Sequence, residues 1–240
     1  ESIERQAFFL EKRWKSLQSN IIKFKALVLL ISVGIYIDDK KYLIPYCSVA
    51  LDKEINNTFD SGGGIYSRDP NILSQIFSLL TWAEILLKKI EFELTESHKL
   101  IILKVAPILR SLRHSDGSLL GFRGKTEYPT KHLDRALINS GVKHSLPKRE
   151  AMGYARLGRK NVSIFVDTGG QFDSVTEGNF LDTKSAIEIT INKCPFIISG
   201  AKATDMAGKP RGNVNKIHNS SALKLGNELV NVVNLQPANL

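Results

Sequence analysis

Apolar residues recur at helical spacing through the first half of the chain and alternate with polar ones through the second. IERQAFFLEKRWKSL gathers apolar residues on one face and charges on the other, and IIKFKALVLLISVGIYI follows it. LIPYCSVALDKEINNTF is a third helix, with Pro45 near its start. DPNILSQIFSLLTWAEILLKKIEF is a fourth: Asp69 suits its cap, Pro70 its first turn, and Lys88 and Lys89 its negative end. Thr95 opens a fifth, ESHKLIILKVAPILRSL, in which Pro107 predicts a kink. Residues 3 to about 112 therefore read as antiparallel helical hairpins with short links.

After Gly124 the period changes. KHLDRALINSG is a last short helix with Gly141 behind it. AMGYARLGRKNVSIFVDTGG, SAIEITINKCPFIISGAK and SALKLGNELVNVVNL alternate apolar and polar residues between Gly, Asn and Lys turns, the pattern of β-hairpins. Helices first and strands after predict an α+β fold or two packed domains. The predicted division is residues 1–125 helical and 126–240 an antiparallel sheet, with the change falling between 125 and 148. A sheet of about five or six strands needs a second sheet or helices to cover it. No internal repeat or low-complexity tract interrupts the pattern.

At 240 residues the chain can bury a sizeable core, and its 42% apolar and 24% charged residues are ordinary for a globular protein. The net charge of +9 changes the picture more. Residues 1–140 carry 20 basic and 16 acidic groups and residues 141–240 carry 13 and 8, so the excess is spread and not a tail. Such a field favours polyanions: nucleic acid, anionic membrane or acidic glycan. Nucleic acid is not expected, because the charge is not striped and no helix-turn-helix or RNP-like signal appears. An integral membrane segment is not expected either. ALVLLISVGIYI, residues 26–37, is too short against the roughly 20 residues a span needs, and reads as a buried helix. Cys47 and Cys194 sit far apart with no CxxC pair, which excludes a disulfide scaffold and a cysteine zinc site. The oligomeric state is not legible.

Four stretches carry candidate chemistry. FDSGGGIYSRDP joins two helices; three glycines let a ligand approach backbone, and Tyr66 and Arg68 offer a phenol and a guanidinium to an anionic sugar. It has no GxxxxGK[ST] pattern, so it is not a phosphate loop. The plain alternative is a long helix connection. RSLRHSDGSLLGFRG turns at Asp116-Gly117 and adds Arg113 and His114 beyond what a turn needs. GYARLGRKNVSIFVDTGG sets Tyr154 and Arg156 on one strand face; the plain reading is a solvated face with one buried Tyr. KIHNSSALKL carries His218 and Asn219, without the GxSxG of a serine hydrolase. The five histidines form no HExxH or HxH pair, so neither a metal nor a cofactor is expected.

Taken in order, ERQAFFLEKR, GGGIYSRDP, APILRSLRHSDGSLLGFRG, GYARLGRKNVSIFVDTGG, the SAIEIT strand and HNSSALKL resemble the heparinase II/III-like proteins of bacteria, and most of all their alphaproteobacterial branch. That branch reads approximately DGGHxSRNP, RHGDGxLAxFNG, SGYxRL with VxxDxG, AHAGxLSFE and AHSTL at these places. The resemblance runs from about residue 4 to 228. It implies the C-terminal part of an incomplete (α/α) toroid followed by an antiparallel β-sandwich, in a chain cut at both ends. It also implies a lyase that breaks a glycosidic bond beside a uronic acid by β-elimination, on an acidic polysaccharide.

In that chemistry one group neutralises the carboxylate and acidifies the C5 proton, and a Tyr or His removes it. The resemblance assigns Arg68 or His114 to the carboxylate and Tyr66 or Tyr154 to the proton. Arg113, Asp116, Arg156, His218 and Asn219 become the substrate-binding set. The chain departs from the pattern where Gly62-Gly63-Gly64-Ile65 replaces DGGH, where Arg123 replaces Asn, and where GNFLDTKSAIEI lacks a histidine. The alternative expectation is therefore a catalytically weak or inactive glycan-binding or envelope protein of the same fold. A leader in the full gene would place it in the periplasm or envelope, and otherwise in the cytoplasm.

Overall fold

A computed structural model describes residues 2–122, 130–143, 148–159, 161–169, 186–197, 224–225 and 228–229. Among the described residues six α-helices come first: α1 (Ser2–Arg13), α2 (Asn20–Tyr36), α3 (Leu43–Thr58), α4 (Pro70–Lys89), α5 (Glu96–Ser111) and α6 (Thr130–Asn139). Strands follow: β1 (Glu150–Ala151), β2 (Tyr154–Arg159), β3 (Val162–Asp167), β4 (Ile187–Ile191) and β5 (Cys194–Ile197). They form one sheet in the order β1-β2-β3-β4-β5, every neighbouring pair antiparallel. A separate hairpin pairs β6 (Lys224–Leu225) with β7 (Glu228–Leu229). The fold is α+β.

Two compact units make up the chain, and they are not its linear halves. The first comprises Glu1–Tyr66, Ile72–Ala106 and Lys131–His144; the second comprises Ser67–Asn71, Pro107–Thr130 and Ser145–Leu240.

In the first unit α2 is apolar nearly all round and is buried from Phe24 to Gly34 at Ala26, Leu27, Val28, Leu30 and Ile31, as a core helix must be. Leu43, Cys47 and Leu51 of α3 and Leu73, Ile76 and Phe77 of α4 complete that core. Burial pushes the Cys47 thiol up to about 12, with Glu11 adding to the shift, so it is not a nucleophile at neutral pH. Asp69 caps α4 by accepting from the Asn71 amide at 2.8 Å. Thr95 Oγ1 accepts from the His98 amide at 3.3 Å and donates to Asp52 at 2.8 Å. Among the described residues α4 alone has the length and composition to cross a membrane, and 61% of that stretch is buried inside the protein, which makes it weak evidence for a span.

The sheet of the second unit turns its polar side inward. Tyr154, Ser163, Phe165, Asp167, Glu188 and Thr190 share one face by the two-residue alternation and are buried. The other face carries Ala155, Leu157, Ile164, Ile187, Ile189 and Ile191, which are half-buried or exposed. Tight turns link the strands: Met152 and Gly153 take φ of 53° and 69° between β1 and β2, and Asn192 and Lys193 take 49° and 65° between β4 and β5.

One buried group of the helical core gives a pH dependence. His98 is 3% exposed with Nε2 3.0 Å from the Leu80 carbonyl, and burial holds its pKa below the ordinary 6.5 despite the carbonyl, Glu84 and Asp52. The native protein then resists a proton that the unfolded chain accepts. Its stabilising contribution is full above 6.5 and is lost as pH falls below that value toward the lowered native pKa. The slope is at most about 1.4 kcal/mol per pH unit. Chemical denaturation of the His98→Asn variant between neutral and mildly acidic pH is expected to show a shallower loss than the unaltered chain.

Candidate functional site

The loop after α3 folds on itself before it reaches Tyr66. Asp60 Oδ1 accepts from the amides of Gly62 at 2.7 Å and Gly64 at 2.9 Å, Gly63 takes a φ of 90°, and Phe59 bridges to Ile65. Ile65, which stands where the resembled family has a histidine, is 4% exposed and belongs to the core. Tyr66 follows at 70% exposure. The glycines thus make a self-capped turn that presents a phenol to solvent.

Two residues on, the chain enters the second unit and Arg68 turns inward with φ 51°. Its Nε donates to the Met152 carbonyl at 2.6 Å, and Nη2 donates to the Gly153 carbonyl and to Asp167 Oδ1, both at 2.5 Å. The Tyr154 hydroxyl donates to the Arg68 carbonyl at 2.8 Å, and the guanidinium lies over the Tyr154 ring at 4.4 Å from its centroid. Phe122 stacks on that ring with centroids 5.5 Å apart. Gly153 is required here: a Cβ at that position would meet Arg68 Nη2 at 2.9 Å, at a φ few side chains adopt. Arg68 and Tyr154 are brought together, and both are consumed in holding the 67–71 segment to the β1–β2 turn.

The seam between α5 and the sheet is a hairpin-like turn. The His114 amide donates to the Ser118 carbonyl at 2.8 Å, Arg113 bridges to Leu119, and Gly117 takes a φ of 88°. Arg113 Nε donates to the Gly117 carbonyl at 2.8 Å, and Asp116 Oδ1 accepts from the Ser118 amide at 2.9 Å and hydroxyl at 2.7 Å. Both charges therefore serve the turn. His114 points into the sheet at 7% exposure, edge-on to Phe165 with centroids 4.8 Å apart. Its Nε2 is 3.0 Å from Glu188 Oε2, and its Nδ1 is 3.0 Å from Thr190 Oγ1 and 3.2 Å from Ser163 Oγ. The Gly121 amide donates to both Glu188 oxygens at 3.1 Å.

Ser163, His114 and Glu188 have the order of a nucleophile, base and orienting acid, but Ser163 is 1% exposed and its hydroxyl accepts from the Ser115 amide at 3.1 Å. No acyl group can reach it, so the set is a buried hydrogen-bonded core. The partners that complete these networks, Asp167, Glu188, Ser163 and Thr190, were not among the residues singled out from the sequence. The available signal was polar residues at spacing two inside apolar strands. Arg156 is half-buried, with its guanidinium 5.7 Å from the centroid of Phe165. His218 and Asn219 lie outside the described residues. Among the described residues no group of three or more His, Cys, Asp or Glu is placed to hold a metal.

No protein-family profile and no curated protein matches the chain. Solved structures do. Heparinase III superposes with a TM-score of 0.67 over 93% of this chain at 14% identity, and a heparinase III gene product with methylated lysines with 0.65 over 91% at 11%. A further structure of that gene product gives 0.63 over 90% at 13%. The chain spans about two fifths of the length of these proteins, 41%, 38% and 37% respectively. The likeness is one of fold: the chain has a heparinase-like fold.

Two expectations follow from the buried networks. Asp167→Asn leaves the Arg68 charge buried without its carboxylate and is expected to destabilise the protein by about 3–5 kcal/mol, read by denaturant titration. His114 donates from Nε2 to the Glu188 carboxylate, because the Ser163 and Thr190 hydroxyls are free to donate to Nδ1. Nitrogen-15 NMR is expected to show the Nε2–H tautomer of the neutral imidazole, and the Nδ1–H tautomer would overturn the assignment.

Proposed function

We propose that the chain belongs to a polysaccharide lyase that cleaves an acidic, uronate-containing polysaccharide by β-elimination. The observation that carries this is the heparinase-like fold over 93% of the chain. In this reading residues 1–125 are a portion of an (α/α) toroid and residues 126–240 a portion of a β-sandwich. The apolar face of Ala155, Leu157, Ile164, Ile187 and Ile189 supports the second part, since a face of that composition suits coverage by another sheet.

β-Elimination needs a cation beside the carboxylate, a group that removes the C5 proton, and a proton for the glycosidic oxygen that leaves as the C4–O bond breaks and the C4–C5 double bond forms. Tyr66 is the proposed proton-handling group, because its phenol is exposed while the Tyr154 hydroxyl is bonded to the Arg68 carbonyl. Arg68, His114 and Tyr154 then act as internal structure of the second unit. Arg113, Asp116 and Arg156 remain in the proposed substrate-binding set, to which the sequence adds His218 and Asn219.

A second reading is favoured by the same burial. Arg68, His114 and Tyr154 are at most 9% exposed and engaged internally, which suits a glycan-binding protein with slow turnover or none. Both readings expect tighter glycan binding at low ionic strength, because salt screens the diffuse positive charge. The experiment is ultraviolet absorbance of the unsaturated uronate on a panel of uronate-containing polysaccharides. Turnover that falls about 10²–10⁴-fold in Tyr66→Phe is the expected result. Brisk turnover in that variant would remove Tyr66 from the chemistry, and binding without product from the unaltered chain would select the second reading.

A further inference from the structure

One row of side chains across the sheet carries a charge that the networks above do not use. The β1–β2 register pairs Ala151 with Tyr154 and Glu150 with Ala155. The Arg156 amide donates to the Arg149 carbonyl at 2.7 Å, which extends the pairing by one step and sets Arg149 directly opposite Arg156. Opposite residues of an antiparallel pair project to the same face, with Cβ atoms about 4.5–5.5 Å apart. Phe165 continues the row on β3 and Glu188 on β4.

Like charges set opposite one another are destabilising unless something neutralises them. Among the described residues no carboxylate of that face does so. Glu188 is taken by His114 and Gly121, Asp167 is taken by Arg68, and Glu150 alternates to the other face. Among the described residues neither Arg149 nor Arg156 has an ion pair or a side-chain hydrogen bond. Arg149 is exposed. Arg156 is half-buried, its guanidinium lies near the Phe165 ring, and its Nε–H is buried without an acceptor. Burial lowers the Arg156 pKa, because it takes the guanidinium out of water. A guanidinium that is desolvated, held by an aromatic ring and paired with a second guanidinium is prepared for an anion with more than one oxygen.

We propose that Arg149 and Arg156 form an anion-binding subsite on the β1–β2 hairpin that takes a carboxylate or sulfate group of an acidic polysaccharide. The polymer rests on the lyase-fold reading; the anion site does not.

The test is calorimetric titration of the full chain at low ionic strength with three probes: oligogalacturonate, which offers carboxylates only, a heparin oligosaccharide, which adds sulfates, and neutral dextran. Arg156→Gln is expected to weaken binding about tenfold. Arg149→Gln weakens it by a smaller factor, and both keep or raise Tm because two like charges no longer stand opposite one another. Arg149 is exposed, so its variant carries the test should Arg156→Gln fail to fold. Lys53→Gln removes an exposed charge of the helical unit and is expected to change nothing. Binding of oligogalacturonate supports a carboxylate site, and binding of the heparin oligosaccharide alone supports a sulfate site. The proposal is overturned if both arginine variants bind like the unaltered chain, if Lys53→Gln weakens binding as much, or if dextran binds equally. Loss of binding in the arginine variants, with no absorbing product from the unaltered chain, would leave the subsite standing and remove the lyase reading.

Discussion

The buried ion pair of Arg68 and Asp167 is the constraint on which the second unit depends. Taking two charges out of water costs several kcal/mol each, and their attraction offsets that only when further hydrogen bonds complete the geometry. Here the Met152 and Gly153 carbonyls supply them, and a hairpin turn with positive φ at both positions aims those carbonyls at the guanidinium. Arg68 itself adopts a left-handed φ, so the pair also holds a backbone conformation that costs of order 1–3 kcal/mol elsewhere. The Tyr154 hydroxyl, bonded to the Arg68 carbonyl, completes the clasp. Residues 99 positions apart in sequence are thereby tied together.

A second buried network repeats the logic one strand away. His114 reaches from the α5 seam to Glu188 on β4 and Ser163 on β3, and Glu188 returns the contact through the Gly121 amide. Every polar group named there has a partner, which is the condition under which a buried polar cluster specifies an arrangement. These networks explain why the inward face of the sheet can be polar while the apolar isoleucines lie on the less covered side. They also separate two kinds of charged residue. Arg68, Asp167, His114 and Glu188 are internal structure, whereas Tyr66 and Arg149 are exposed and Arg156 is half-buried.

Local rules determined much of the fold. The helical period, the Asp69 and Thr95 caps and the change to alternation after Gly124 come from interactions within a few residues, and those are legible in sequence. The α+β class follows from them. The resemblance drawn from ordered short motifs agrees in fold with the heparinase III structures, at 11–14% identity. The glycine loop was legible as a turn but not as one closed by Asp60.

The side-chain roles were decided by tertiary structure. Alternation says that Glu188 and Thr190 share a face opposite Ile187 and Ile189; it does not say which face is buried, and the usual inference from polarity points the wrong way here. Nothing near Arg68 announces that Asp167 is its partner. Nothing near His114 announces Glu188, because the pairs form across strands whose register is set elsewhere. The opposition of Arg149 and Arg156 likewise depends on the two-residue turn at Met152-Gly153, since a shift of one residue would send one of the two to the other face. The sequence by itself determined which segments are helix and which are strand, because those preferences are local. Only the packed fold decided which charges are partnered inside the protein and which are left exposed, because that depends on what long-range register places within hydrogen-bond reach.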